Sequence, residues 1–145
     1  MATTEQKFSV SLAKEARWQT GLRDFLEYRD LGIKAATGGA FKAHVMRLKD
    51  PSTKTLRATG AHVHDLEFQM IYVLKGWIKF IYDGHGEHVF HAGDCCLQPA
   101  GIVHDEIECS DDVEVLEITS PAQYATRTVG GQTADFALAR KQEVT

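Results

Sequence analysis

Two histidines one residue apart, His62 and His64, sit in the stretch Gly60-Ala61-His62-Val63-His64-Asp65-Leu66-Glu67-Phe68-Gln69. On an extended strand side chains alternate with period two, so both imidazoles leave the same face and form a chelating pair. Imidazole binds metal in its neutral form, which suits a pair of histidines near pH 7. Two donors are too few for a divalent ion, so others must arrive from elsewhere in the chain. The stretch Gly93-Asp94-Cys95-Cys96-Leu97-Gln98-Pro99-Ala100-Gly101-Ile102-Val103-His104 supplies a candidate, its Pro-x-Gly turn delivering the chain into a strand that begins at His104.

Around these stretches the pattern is that of short strands and tight turns. Phe68 to Leu74 and Trp77 to Tyr82 are rich in β-formers and meet at Lys75-Gly76, Asp83-Gly84-His85-Gly86 is a second hairpin turn, and Glu87 to His91 is a further strand. Upstream lie a short helical turn near Leu12 to Ala16, an early strand around Arg23 to Asp30, and a strand over Ala40 to Lys49. Another strand over Leu56 to Thr59 leads into the His-x-His stretch, and two close the series, His104 to Cys109 and Val113 to Thr119. Strands at intervals of about ten residues with glycine-rich turns predict an antiparallel barrel or sandwich.

The two histidine stretches resemble the paired motifs of the cupin superfamily, and the chain is similar to small single-domain bacterial cupins. That family's first motif runs His-x-His, three or four residues, Glu, six residues, Gly; here it is His62-x-His64, four residues, Gln69, six residues, Gly76. The second runs Gly, five residues, Pro-x-Gly, two residues, His, three residues, Asn; here it is Gly93, Pro99, Gly101, His104 and Glu108. Every spacing fits, and two identities depart: Gln69 replaces the usual carboxylate ligand and Glu108 the usual Asn. The resemblance implies an all-β fold, a double-stranded β-helix or jelly-roll barrel. It divides the chain into an N-terminal segment (1–22) packed on the barrel or on a partner subunit, the barrel (23–120), and a loosely held tail (121–145) that could wrap a neighbouring subunit.

On such a barrel His62, His64, Gln69 and His104 would hold one divalent transition metal ion, Fe(II) favoured, with Mn, Ni, Co, Cu or Zn also compatible with these donors. An amide oxygen is a weaker, neutral donor, so the ion would keep its full charge and favour anionic substrates. Gln69 could equally orient a water instead of ligating, and Glu67 shares its parity. Glu106 and Glu108 share parity with His104, so either could act as a general base, although exposed-face carboxylates are the commoner case. His44 on its predicted strand is read as packed or solvated, His85, His88 and His91 as solvated, and Cys95-Cys96 as small residues on opposite faces of a short strand.

The resemblance to three-His dioxygenases implies an Fe(II)-dependent dioxygenase acting on an enolisable or anionic small molecule. A non-oxidative metal-dependent isomerase, cyclase or lyase is the alternative, and a metal- or small-molecule-binding cupin without catalysis the third reading.

Composition narrows the partners. At 145 residues the chain is the size of one domain, and a net charge of −4 attracts neither nucleic acid nor an anionic membrane. Three cysteines, two adjacent, suit reduced thiols, and no stretch approaches the ~20 apolar residues of a membrane span. The expectation is a cytoplasmic protein, a homodimer, with a small-molecule substrate.

Overall fold

The computed structural model describes residues 5–21, 25–50 and 60–129. Its strands are β1 (Gln19–Thr20), β2 (Leu26–Asp30), β3 (Lys42–Leu48), β4 (His62–His64), β5 (Phe68–Lys75), β6 (Trp77–Tyr82), β7 (Gly86–His91), β8 (Cys95–Leu97), β9 (His104–Cys109), β10 (Glu114–Ser120) and β11 (Thr126–Thr128). A 3-10 turn at Ala13–Glu15 and the single helical turn α1 (Ile33–Ala36) complete the described elements. The strand expected over Leu56 to Thr59 and residues 130–145 of the expected tail lie outside the described residues, whereas the first part of that tail is not loosely held, because β11 pairs with β4 in the five-stranded sheet.

The strands form two antiparallel sheets. One has six strands in the order β1-β2-β3-β10-β5-β8, the other five in the order β11-β4-β9-β6-β7. This is the jelly-roll barrel expected of a cupin. Non-consecutive neighbours in both sheets bring distant parts of the chain together, so β10 lies between β3 and β5, and β9 between β4 and β6.

Hydrophobic collapse fixes one end of the barrel. Leu26, Met46, Leu48, Ile71, Val73 and Val115 from the six-stranded sheet pack against Ile78, Phe80 and Tyr82 from the other. Removing this apolar area from water is the main favourable term for such a domain. Along each inward-facing strip the side chains change from apolar to polar. On β3 the strip runs Leu48, Met46, His44, Lys42; on β10 it runs Val115, Glu117, Thr119; on β5 it runs Val73, Ile71, Gln69. The polar ends of the strips gather at the same end of the barrel, which becomes a mouth rather than a core.

Strand β5 is buried on its inner face only. Phe68, Tyr72 and Leu74 are exposed on the outer face, next to Leu97 of the edge strand β8. Parity places Tyr72 opposite Gln69, as the alternation of a strand requires.

The turn between β5 and β6 explains the glycine that closes the first motif. Gly76 has φ +68°, a left-handed conformation that side-chain-bearing residues rarely adopt. A Cβ there would also collide with Ser110 Oγ and lie 2.6 Å from Asp112 Oδ1. Ser110 is fixed in that spot because its hydroxyl accepts the Trp77 N–H at 2.8 Å.

Candidate metal centre

The short strand β4 delivers His62 and His64 to one face, with ring centroids 4.9 Å apart. His104, the first residue of β9, is the Cα partner of His62 and brings its ring to 4.4 Å from that of His62 and 5.0 Å from that of His64. One candidate ligand nitrogen from each histidine lies within 4.8 Å of the others, and all three residues are buried. The three histidines read from the motifs therefore converge.

The second nitrogen of each ring is engaged, and the partners tell which end is left for a metal. His62 Nδ1 lies 2.7 Å from the Gly60 carbonyl and His104 Nδ1 3.1 Å from the Ile102 carbonyl. A carbonyl only accepts, so both Nδ1 atoms donate and both Nε2 atoms carry the lone pair. The Thr126 hydroxyl, 2.8 Å from His64 Nδ1, can accept in the same way. Burial, reinforced by the neighbouring His62, drives the His104 pKa down to about 3, so its ring is neutral at pH 7. Three imidazoles with Nδ1 anchored and Nε2 converging are a donor set that fits a divalent transition metal ion.

His62 and His64 form part of the wall of an open cavity of about 940 Å³. The opposite wall comes from the six-stranded sheet and includes Tyr28, Lys42, His44 and Glu117, while Tyr124 and Thr126 close it from the segment after β10. His44 is thus neither a core plug nor a solvated surface residue, because it stands on the inner strip of β3 just where that strip turns polar. Its Nε2 lies 2.7 Å from Glu117 Oε1. Glu117 is 9% exposed and receives a second hydrogen bond, at 2.9 Å, from Gln69 Nε2 onto Oε2. Burial alone would raise the Glu117 pKa, but the bond to His44, its charge, the Gln69 amide and Lys42 outweigh it and hold the carboxyl well below the usual carboxylate range.

Gln69 is buried on the inner face of β5, as its place in the motif suggests. Its observed hydrogen bond is to Glu117, with the amide nitrogen as donor, which gives a reason for an amide here: a carboxylate could not donate to another carboxylate. Glu67, the parity neighbour considered in its stead, is exposed outside the strand.

The two glutamates of β9 part company. Glu106 is opposite Phe80 and lines the cavity, whereas Glu108 is opposite Lys79, is exposed, and ion-pairs with Lys79 at 3.4 Å. The register between β6 and β9 shifts between Lys79 and Phe80, a bulge that interrupts the alternation. The shared parity of Glu106 and Glu108 expected from an unbroken strand therefore fails, and Glu108 leaves the site. His85, His88 and His91 are exposed on the hairpin of the edge strand β7. Cys95 is exposed and Cys96 half-buried on β8, both as free thiols.

Two contributors escape a linear reading. Glu117 carries a faint signal, a charge at an inward position in the alternation Val113, Val115, Glu117, Thr119. Thr126 carries none, since nothing in the sequence pairs β11 with β4.

The cupin family's domain model, described as "Cupin domain", matches residues 55–119. No curated protein matches the chain in sequence. Among solved structures, the chain is similar to an RmlC-like cupin from Shewanella frigidimarina NCIMB 400 (19% identity, 82% of this chain and 96% of that one, TM-score 0.62). It is similar to the polyketide cyclase RemF from Streptomyces resistomycificus (14% identity, 92% and 94%, TM-score 0.68). It also resembles a sugar phosphate isomerase of the cupin superfamily from Silicibacter pomeroyi DSS-3 (19% identity, 81% and 80%, TM-score 0.61). The chain thus carries a cupin domain over residues 55–119, set on a barrel of the same fold as these structures, with the histidines of both motifs brought together.

Proposed function

We propose that the chain is a metal-dependent enzyme acting on a small, anionic, enolisable molecule. The observation that carries this reading is the convergence of three buried imidazole nitrogens within 4.8 Å of one another, two of the rings standing in the wall of an open cavity. The donor set proposed is His62, His64 and His104; Gln69, bonded to Glu117, stays outside it. A bound divalent ion would supply a Lewis acid that polarises a carbonyl. The chain's own groups would do the rest: Lys42 attracts an anion into the cavity, Tyr28 and Tyr124 flank it, and the opposite wall offers groups that exchange protons.

This wall favours a non-oxidative reaction, of the isomerase, cyclase or lyase kind, over the oxygenase. The likeness in fold to a polyketide cyclase and a sugar phosphate isomerase supports the same reading. An Fe(II) dioxygenase is the second reading, favoured by a ligand set made wholly of imidazoles. Metal analysis of protein purified without chelator, followed by parallel assays of Zn(II)-, Mn(II)- and Fe(II)-loaded protein against diketones, keto acids and thiols, separates them. Conversion with Zn(II) or Mn(II) and no oxygen uptake supports the non-oxidative enzyme. Oxygen uptake confined to the Fe(II) form supports the dioxygenase, tight binding with no conversion supports a binding module, and absence of any bound metal defeats the proposal.

A further inference from the structure

Glu117 is hard to explain as a structural residue. It lies in the middle of the six-stranded sheet, with His44 and Ile71 as its Cα partners on either side and Val115 two residues away on the same face. A buried carboxylate there costs desolvation that an apolar residue would avoid. Both of its oxygens are met by nitrogens, His44 Nε2 at 2.7 Å and Gln69 Nε2 at 2.9 Å. That arrangement suits an ionised acceptor, and whenever the His44 ring is neutral it places the ring proton on Nε2 and the lone pair on Nδ1.

We propose that His44, held by Glu117, is the group that carries protons to and from a substrate in the cavity. The proposal rests on the metal-centre reading above and deepens it by naming the second half of the reaction apparatus. His44 lines the same cavity as His62 and His64, from the opposite sheet. The Tyr28 ring packs on it, centroid to centroid 5.0 Å, so the imidazole is fixed on one side by a ring and at Nε2 by a carboxylate. The ionisable groups facing it are Tyr28 and Asp30 from β2, Glu117 from β10 and Lys42 from its own strand, with Tyr124 across the cavity.

The step is a proton abstraction beside a carbonyl. The C–H bond breaks, its electron pair passes into the carbonyl as an enolate, and the proton goes to His44 Nδ1. Return of that proton to the same or a neighbouring carbon completes an exchange or an isomerisation, and no oxidant is consumed. The substrate class is therefore a carbonyl compound with an acidic C–H and an anionic group for Lys42. Glu117 is a positioning residue: it sets the tautomer of His44 and stabilises the imidazolium that forms.

Proton exchange into deuterium, followed by NMR on pyruvate, 2-oxobutyrate and dihydroxyacetone phosphate with Zn(II)-loaded protein, tests the proposal. Wild type should exchange at least one of them faster than metal-free protein, and His44→Gln should keep its metal while exchanging about 100-fold more slowly or worse. In Glu117→Gln the acid limb of the pH profile should move to lower pH, because a neutral partner no longer stabilises the imidazolium, and Glu117→Asp should recover part of the rate. Independently of turnover, long-range proton–nitrogen spectra of the metal-free protein should find His44 protonated at Nε2. Equal exchange by His44→Gln and wild type, no exchange of any probe by metal-loaded wild type, or a ring protonated at Nδ1 alone would each overturn the role of His44. A wild type that binds no metal instead brings down the metal-centre reading.

Discussion

The Thr126 hydroxyl lies 2.8 Å from Nδ1 of His64, and the two residues are Cα partners across β11 and β4. A strand added after the main barrel thus orients a histidine of the first motif. Hydrogen bonds to the far nitrogen of a metal-bound histidine fix its tautomer and aim. Thr126→Val keeps the shape and removes the acceptor, and it should weaken metal binding about 10- to 100-fold. Thr128→Val, on the same strand opposite His62, is the control, because His62 Nδ1 is already satisfied by the Gly60 carbonyl. Metal affinity by competition with a chromophoric chelator measures both; equal affinities for the two variants would remove Thr126 from the site.

Gln69→Glu restores the residue usual in the motif, yet here it should do harm. The new carboxyl would face Glu117 where the amide nitrogen now donates at 2.9 Å. Like charges at that distance resist joint ionisation, so the added acid would titrate at a higher pH folded than unfolded. Its contribution is intact below the unfolded carboxylate pKa and is lost as pH rises through the folded one. Metal-free Gln69→Glu should therefore be less stable than wild type at pH 7 by roughly 1–3 kcal/mol, and the gap should narrow on acidification. Urea unfolding at several pH values decides the matter, and a variant as stable as wild type at pH 7 contradicts the account.

Gly76→Ala forces a Cβ into a left-handed turn and against Ser110 and Asp112. A non-glycine residue in such a conformation costs about 1–3 kcal/mol before any collision is counted. The melting temperature should drop, with metal stoichiometry unchanged at temperatures where the variant stays folded. Gly84→Ala makes a useful comparison, since its φ is also positive, at +82°, but a Cβ there meets nothing. The Gly76 variant should be the less stable of the two by differential scanning calorimetry.

Acid should unfold the metal-free protein for a definable reason. His104 is lowered from 6.5 to about 3 by burial and its histidine neighbours, so below pH 6.5 the unfolded chain binds a proton that the folded one refuses. Glu117 acts in the same direction further down, its folded pKa lying below its unfolded value, so its stabilisation is present above pH 4.5 and falls away beneath it. Stability of the metal-free protein should decline steadily from about pH 6.5 downward. In His104→Gln the upper part of that decline should be weaker, as read from unfolding curves between pH 7 and 4. An unaltered decline would show that the acid sensitivity arises elsewhere.

The sequence by itself determined the strands of the barrel's main run, the barrel and the three histidines, but not the short strands β1 and β11 at its two ends. Strand positions are written in β-forming runs between glycine turns, and the His-x-His pair needs only the two-residue period of an extended chain to share a face. Tertiary structure decided what stands opposite that face. Glu117 and His44 meet because β10 lies between β3 and β5, a pairing no local pattern encodes. Glu108 left the site because a bulge against β6 broke a parity that looks continuous in one dimension. Thr126 came in because a late strand returned to the edge of β4. Periodicity is a property of a few consecutive residues and can be read along the chain, whereas neighbours across a sheet are chosen by the burial of both faces at once, and only the folded barrel expresses that choice.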